Sequence, residues 1–128
     1  MAKKVLIVED EPDIQEVERM VVQDMMGCDV TIASSGEEAL TRAQENSPDL
    51  VMLDLVLPGM DGFTVASHLR QEPRLEKTPI LALSGLTRAE DKAKAKEVGC
   101  NDVLDKPFDL DDLMNKVEQL VGSCRTND

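Results

Sequence analysis

Three acidic residues of this 128-residue chain stand beside apolar runs, where a charged side chain is destabilising. Glu9 and Asp10 follow the apolar residues 5–8, and Asp54 lies inside the apolar run 50–57. A carboxylate in such surroundings costs several kcal/mol unless it is paired, protonated or bound to a metal. Carboxylates that meet also repel one another unless a cation lies between them. These side chains therefore predict a site for a hard divalent cation, and Mg²⁺ suits a few carboxylates completed by water.

The order of the acidic residues indicates how they would share this ion. We expect Asp10 and Asp54 to be direct ligands, and Glu9 to act through a water molecule. The backbone carbonyl of Val56, two residues after Asp54, is expected to supply a third protein oxygen. Mg²⁺ keeps several waters, so a small number of protein oxygens is sufficient.

A bound Mg²⁺ would also attract a phosphoryl group to the same place. A carboxylate attacks a phosphodianion poorly because both are negative, and the metal together with the ammonium of Lys106 would offset that repulsion. The hydroxyl of Ser84 and nearby backbone amides can hold the remaining phosphoryl oxygens. Asp54 is therefore predicted to be a nucleophile that becomes an aspartyl phosphate.

Apolar runs alternate with helical patterns along the whole chain. Short continuous apolar runs are typical of strands buried on both faces. In the first helix Ile14, Val17, Val21 and Met25 recur at spacings of three and four, and we expect them to form its buried face. This alternation, repeated five times, predicts an α/β fold with an open, doubly wound parallel sheet. The predicted strands are residues 5–8, 30–33, 50–53, 79–83 and 102–104.

Such a sheet would bring the candidate residues together. In open α/β sheets the ligand site lies beyond the carboxyl ends of the strands. Glu9 and Asp10 follow the first predicted strand, and Asp54 closes the third. Ser84 follows the fourth, and Lys106 follows the fifth. Three acids, one hydroxyl and one amine are therefore expected at one edge of the sheet.

Five segments of the chain resemble the receiver domain of bacterial two-component response regulators, and chemotaxis-type regulators in particular. Each segment alone is a weak signal, but all five occur in order and at the separations of a receiver domain. The resemblance covers essentially the whole chain. The segments are residues 5–11, 48–54, 57–62, 80–85 and 106–108.

The resemblance implies a fold, a domain division and partners. It implies a five-stranded flavodoxin-like sheet in the strand order 2-1-3-4-5. Residues 1–122 would form the receiver domain, and residues 123–128 a short polar tail. The partners would be a histidine kinase or a histidine phosphotransfer protein, together with a downstream protein target or a fused output domain.

The resemblance also assigns a role to each candidate residue. The acidic pair Glu9 and Asp10 would bind Mg²⁺, and Asp54 would take the phosphoryl group from the kinase. Ser84 and Lys106 would sense that group and move toward it. The peptide bond that follows the lysine would be cis, as it is in the family.

One position departs from the family pattern. The family often has Tyr or Phe three residues before the lysine, and that side chain swings inward on activation. This chain has Val103 there, and valine is small with few rotamers. An aromatic toggle cannot operate, so we expect the output change to be smaller or differently built.

Charge and composition limit the partners. The chain has 14 basic and 26 acidic residues, which leaves a net charge of −12. Nucleic acids and anionic lipid need a basic face, so neither is an expected partner. No apolar stretch approaches the ~20 residues of a membrane span, and residues 1–8 do not form a signal peptide. We therefore expect a cytoplasmic protein.

The three cysteines, Cys28, Cys100 and Cys124, are widely spaced and odd in number. No Cys-x-x-Cys pair occurs, which argues against a disulfide framework and a thiolate metal site. Reduced thiols are the expectation for a cytoplasmic protein. Cys124 lies in the predicted tail, where we expect it to be exposed.

Three other functions were weighed against a phosphoacceptor switch. An aspartate-nucleophile phosphohydrolase would carry a second acid two residues after the nucleophile, where this chain has Val56, so we expect no enzyme and at most slow self-dephosphorylation. A flavin carrier needs a phosphate-binding loop and aromatic residues, which the acidic residues 9–11 and the absence of Trp and Tyr oppose. A phosphorylation-independent receiver-like binding module stays open because of Val103.

The assembly state also stays open at this stage. The chain ends shortly after its last predicted helix, so a stand-alone regulator and a receiver domain from a longer polypeptide both fit. A monomer and a dimer that forms on phosphorylation are equally compatible with the sequence.

Overall fold

The computed structural model describes residues 2–85 and 88–124. Five strands alternate with five helices, as the sequence predicts. The strands are β1 (Lys4–Val8), β2 (Asp29–Ala33), β3 (Leu50–Asp54), β4 (Ile80–Ser84) and β5 (Asp102–Asp105). The helices are α1 (Pro12–Arg19), α2 (Gly36–Asn46), α3 (Gly62–Gln71), α4 (Ala89–Glu97) and α5 (Leu110–Val121). A π-helical segment, Met20–Met25, continues α1, and a short 3₁₀ turn, Pro73–Leu75, follows α3.

The strands form one parallel sheet in the order β2-β1-β3-β4-β5, which confirms the predicted fold and strand order. The register places Val8 beside Leu53, and Leu53 beside Ala82. The first, third and fourth strands therefore end almost level with one another. Residues that follow these strands emerge at the same edge of the sheet.

Helices cover both faces of the sheet, and each face has its own apolar cluster. One cluster lies under α2, α3 and α4 and includes Ala39, Phe63 and Ala95. The other lies under α1 and α5 and includes Val22 and Leu113. Every residue of β3 and β4 is buried, because a central strand covered on both faces has no solvent side.

The first helix packs differently from the prediction. Val17 is 41% exposed, whereas Glu18 and the neighbouring Val21 and Val22 are fully buried. Glu18 is already buried within α1, and from Met20 to Met25 the chain continues in the wider π-helical geometry, where Met25 is 53% exposed. The predicted apolar face was therefore wrong for Val17 and Met25, whereas Ile14 is half-buried and Val21 is buried.

The cysteine prediction was also wrong. Cys28 and Cys124 are joined by a disulfide bond, and both are 2% exposed. Their positions, 96 residues apart in sequence, are brought together only by the tertiary fold. Cys100 is a free, buried thiol. Cys124 is thus a core residue, and residues 125–128 of the predicted tail lie outside the described residues.

Among the helices of residues 2–85 and 88–124, none is long and apolar enough to cross a bilayer.

Candidate functional site

The ends of β1 and β3 place the predicted acidic residues next to each other. Glu9 continues the pairing of β1 with β2, because its N–H donates to the carbonyl of Ala33 at 3.0 Å. Its side chain is 0% exposed, and the carboxylate of Asp54 at the end of β3 is 5% exposed. Asp10 follows at the start of the β1–α1 turn and is partly exposed.

The three carboxylates form a cluster suited to a divalent cation. One oxygen from each of Glu9, Asp10 and Asp54 lies within 4.8 Å of the other two. Opposite ligands of an octahedral Mg²⁺ are about 4.2 Å apart, so small side-chain movements bring these oxygens into one coordination shell. The donor set is all oxygen and negatively charged, which is what hard cations prefer. The residues present therefore fit the predicted ion.

Lys106 supplies the positive charge of this cluster. Its Nζ donates to Glu9 Oε1 at 2.8 Å and to Asp54 Oδ2 at 3.2 Å. Burial by itself lowers the pKa of Lys106, but the hydrogen bond and charge of Glu9 and the charge of Asp54 outweigh it, so the pKa is raised. The lysine is therefore cationic, and it partly neutralises two buried carboxylates.

The backbone holds Lys106 in this position. Its N–H donates to the carbonyl of Ser84 at 2.7 Å, which extends the pairing of β4 with β5. The peptide bond between Lys106 and Pro107 is cis, as the resemblance implied. Ser84 itself is the last residue of β4 and is 1% exposed. It lies at the same edge as the acids, and the adjacent Gly85 lines the cleft above them.

Asp54 is held at both carboxylate oxygens. Oδ2 faces Lys106, and Oδ1 accepts a hydrogen bond of 2.9 Å from the backbone N–H of Val56. This hydrogen bond brings the Val56 backbone next to the Asp54 carboxylate, while Val56 as a whole is 57% exposed. Gly62 allows the approach of α3 to the same place, because a Cβ there would collide with the backbone of Asp54 and Leu55.

The acids and the lysine open into a cleft of about 440 Å³. Its lining residues come from the end of β3, from the loops that follow β1, β3 and β4, from α1 and from the residue after β5. The cleft is lined by Asp10, Glu11, Ile14, Asp54, Val56, Leu57, Pro58, Gly85 and Lys106. Solvent and a small anionic group can therefore reach the Asp54 carboxylate through this cleft.

A second, apolar groove of about 380 Å³ adjoins this cleft at Lys106. It is lined by Ile14, Val17, Pro107 and Phe108 beside the lysine. Val17 is exposed here instead of packing into the core. Residues of α1 and of the turn after β5 thus form an apolar groove along one side of the cleft.

Two residues of the site were missed by sequence reasoning. Gln15 Nε2 donates to the carbonyl of Glu9 at 2.5 Å and to Ser34 Oγ at 3.0 Å, which fixes the turn after β1. Glu18 is fully buried, and neither of its oxygens has a hydrogen-bond partner among residues 2–85 and 88–124. Burial raises the pKa of Glu18 to about 9, and the negative charge of Glu9 adds to the shift. In the sequence, the one signal for Glu18 is a charged residue within an apolar helical pattern.

Comparison with known proteins agrees with this geometry. The response regulator receiver domain family matches residues 5–118 of the chain. The chain is 37% identical over 118 residues to the DNA-binding dual master transcriptional regulator RpaA of Synechocystis, a match that covers 92% of the chain and 48% of RpaA. It spans about half the length of several curated relatives.

Two solved structures are similar over nearly their full length. Chemotaxis protein CheY4 of Vibrio cholerae has a TM-score of 0.89 and 33% identity, and the match covers 94% of this chain and 99% of that one. The receiver domain of sensor histidine kinase PA1611 of Pseudomonas aeruginosa has a TM-score of 0.87 and 28% identity, with coverage of 96% and 100%. That structure has a magnesium ion coordinated in its active-site cleft.

Proposed function

Because the chain belongs to the response regulator receiver domain family, we propose that it is a phosphoacceptor switch of a two-component phosphorelay. Asp54 is the acceptor, and a histidine kinase or histidine phosphotransfer protein is the donor. The observation that carries this proposal is the Asp54 carboxylate, which lies at the base of an open cleft between Lys106 Nζ and two further acids.

The transfer follows from this arrangement. A carboxylate oxygen of Asp54 forms a bond to phosphorus while the bond from phosphorus to the donor imidazole nitrogen breaks, and that nitrogen keeps the electron pair. The Val56 N–H and Lys106 orient the two Asp54 oxygens before the reaction. Lys106 then exchanges its contact with Asp54 for a phosphoryl oxygen, which keeps its charge beside the added negative group.

Glu9, Asp10, Asp54 and the carbonyl of Val56 would hold Mg²⁺, which supplies charge neutralisation for the incoming phosphoryl group. Glu9 is paired with Lys106 at 2.8 Å, which supports its assignment as a residue that reaches the ion through water. Asp10 is the more accessible acid and suits direct coordination. Ser84 is assigned to a phosphoryl oxygen because it ends the strand beside Asp54.

We assign no enzymatic turnover to this site. Hydrolysis of an aspartyl phosphate needs a group that removes a proton from water, and the apolar side chain of Val56 stands two residues after the acceptor. The phosphorylated form is therefore long-lived enough to act as a signal. We place the protein in the cytoplasm, where a kinase donor can reach it.

The apolar groove beside the cleft is the surface we assign to the donor. Ile14, Val17 and Phe108 offer apolar contact area within reach of Lys106. A phosphohistidine must come close to Asp54, so the protein that carries it has to cover this apolar groove. The chain itself is acidic, and we assign it no nucleic-acid or membrane contact.

The output surface is assigned to α4, β5 and α5. Two ion pairs join these elements, Lys92 to Asp105 at 3.0 Å and Lys116 to Asp102 at 2.7 Å. Val103, between the two acids, is partly buried against the core on the α4 side. Asp105 precedes Lys106 in the chain, so a movement of Lys106 would shift the ion pair between Asp105 and Lys92 on this surface. A downstream protein, or an output domain on the same polypeptide, would read the change.

The proposal is tested by mass spectrometry of the protein treated with acetyl phosphate and Mg²⁺. We expect one adduct of about 80 Da, the mass of a single phosphoryl group, that disappears when Mg²⁺ is chelated. Asp54→Asn should abolish the adduct, and Asp112→Asn on the exposed face of α5 is the matched control that should keep it. An adduct that persists in Asp54→Asn would contradict the assignment. Lack of any adduct in the parent protein would favour the binding-module alternative.

A further inference from the structure

The edge of the sheet opposite the acidic cleft carries a covalent link. Cys28 comes just before β2, and Cys124 lies two residues after the glycine that ends α5. Their Cα atoms are 5.0 Å apart, a separation that suits a disulfide, and the two sulfur atoms are bonded. Both residues are 2% exposed and belong to the apolar cluster under α1 and α5.

A hydrogen-bond pair reinforces the same junction. The N–H of Lys3 donates to the carbonyl of Cys124 at 2.7 Å, and the carbonyl of Lys3 accepts from the N–H of Asp29 at 2.8 Å. Residues 122–124, the segment after α5, are thus attached to the beginnings of both β1 and β2. Nothing in the acidic cleft takes part, because that cleft is formed by residues that follow the carboxyl ends of the strands.

We infer that Cys28 and Cys124 are a redox modification site, a dithiol–disulfide pair that fastens and releases the segment after α5. The inference rests on the proposed cytoplasmic location for its reversibility, since disulfides in that compartment are mostly transient or redox-sensing. The pair works independently of phosphoryl transfer to Asp54, because the two sites lie at opposite edges of the sheet.

The chemistry needs an electron acceptor, which we assign to the class of low-molecular-weight disulfides. The thiolate of one cysteine attacks a sulfur of the small disulfide, and one small thiol leaves. The second cysteine then attacks the protein sulfur of the mixed disulfide, and the second small thiol leaves. Two protein thiols thus lose two electrons and two protons, and the acceptor gains both. A reducing dithiol reverses the sequence.

Cys100 offers a built-in control on the other face of the sheet. It is buried in the cluster under α2, α3 and α4, remote from the paired cysteines. Burial raises the pKa of its thiol to about 11, so it has little thiolate at neutral pH. Cys28 and Cys124 bond to each other, which leaves no second cysteine for Cys100 among residues 2–85 and 88–124, so Cys100 should stay unmodified under conditions that oxidise the pair.

The first test counts thiols at equilibrium. The full chain is incubated in reduced and oxidised glutathione at a series of ratios, quenched with acid, denatured and alkylated, and its mass is measured. We expect three alkyl groups at the reducing end and one at the oxidising end, with a reversible transition between them. Three alkyl groups at every ratio would overturn the inference. A single group at every ratio would overturn its reversibility and leave a permanent structural disulfide.

The second test asks what the bond does. A link between positions 96 residues apart restricts the unfolded chain, so reduction of the wild type should lower the Tm by at least about 5 °C. Cys28→Ala and Cys124→Ala should each show no change on reduction, whereas Cys100→Ala should keep the full shift. Amide exchange at Lys3 should accelerate on reduction in the wild type. An unchanged Tm together with unchanged exchange at Lys3 would refute release of the segment.

The outcome is separable from the proposed phosphorelay function. Asp54→Asn removes the phosphoryl acceptor and leaves the cysteine pair intact, so it should give the same thiol counts as the wild type. A failure of Asp54 to accept a phosphoryl group would therefore leave this inference standing. A different thiol count in Asp54→Asn would contradict the independence of the two edges.

Discussion

The carboxyl edge and the amino edge of the sheet differ in the interactions that hold them together. At the carboxyl edge Glu9 and Asp54 are buried carboxylates that share one lysine, and Glu18 lies nearby without a hydrogen-bond partner in the described part of the chain. At the amino edge a disulfide and backbone hydrogen bonds close the structure around apolar side chains. Buried like charges destabilise a fold, and a covalent link stabilises it. The carboxyl edge therefore keeps an excess of negative charge that a bound cation would neutralise.

The largest effect is expected from removing the cation of the carboxyl edge. Lys106→Met leaves Glu9 and Asp54 buried beside each other without a counter-charge, which should lower the free energy of unfolding by about 3–5 kcal/mol without Mg²⁺. Mg²⁺ should restore part of that loss, since it neutralises the same acids. Urea unfolding with and without Mg²⁺ measures both effects. A loss below 1 kcal/mol, on the order of an exposed ion pair, would show that the acids are not coupled to this lysine.

A smaller effect is expected from Glu18, through pH. Its pKa is about 9 in the folded protein and near 4.5 when unfolded, so the folded state binds the proton more tightly. The stability linked to Glu18 is fully present below about pH 4.5 and is lost as the pH rises through about 9. The loss is at most about 1.4 kcal/mol per pH unit in this window.

Glu18→Gln removes this titration and keeps the side-chain shape. The variant should be more stable than the wild type above neutral pH, and the difference should grow with pH in Mg²⁺-free buffer. Thermal unfolding at pH 6, 7 and 8 measures the slope. Glu76→Gln, at an exposed position after the 3₁₀ turn, is the matched control and should run parallel to the wild type. Parallel curves for Glu18→Gln would mean that Glu18 is already charged at neutral pH.

The smallest effect is expected from the lysine of the opposite edge. Lys4 Nζ donates to the carbonyl of Asn46 at 2.7 Å, and its side chain is exposed. Lys4→Met should therefore change the free energy of unfolding by less than about 1 kcal/mol, because water replaces an exposed hydrogen bond. The change should be the same with and without Mg²⁺. A Mg²⁺-dependent effect at Lys4 would break the distinction between the two edges.

Much of the carboxyl edge could be predicted because its signals are local. Short apolar runs identify the strands, and a parallel sheet then places the residues that follow them at one edge. Glu9, Asp10, Asp54 and Lys106 were recognisable on that basis, and the structure brings them together. The cis peptide after Lys106 was recognisable only through the family resemblance.

The failures have equally specific causes. The face of α1 was predicted from its apolar residues alone, but this helix buries Glu18 and leaves Val17 exposed in the apolar groove. Beyond Arg19 the π-helical segment Met20–Met25 breaks the period of 3.6 residues, and Met25 is 53% exposed. A carboxyl group in that position contradicts hydrophobic patterning, and such contradictions are expected where a fold serves a function.

The sequence by itself determined the alternation of strands and helices, the identity of the acidic cluster and the presence of Val103 where the family often has an aromatic residue. These features depend on residue type and on neighbours a few positions away. Only the tertiary structure decided that Cys28 meets Cys124 and that Glu18 is buried near Glu9. The reason is physical: a contact between distant segments depends on how helices settle on the sheet, and packing across the whole core determines that position.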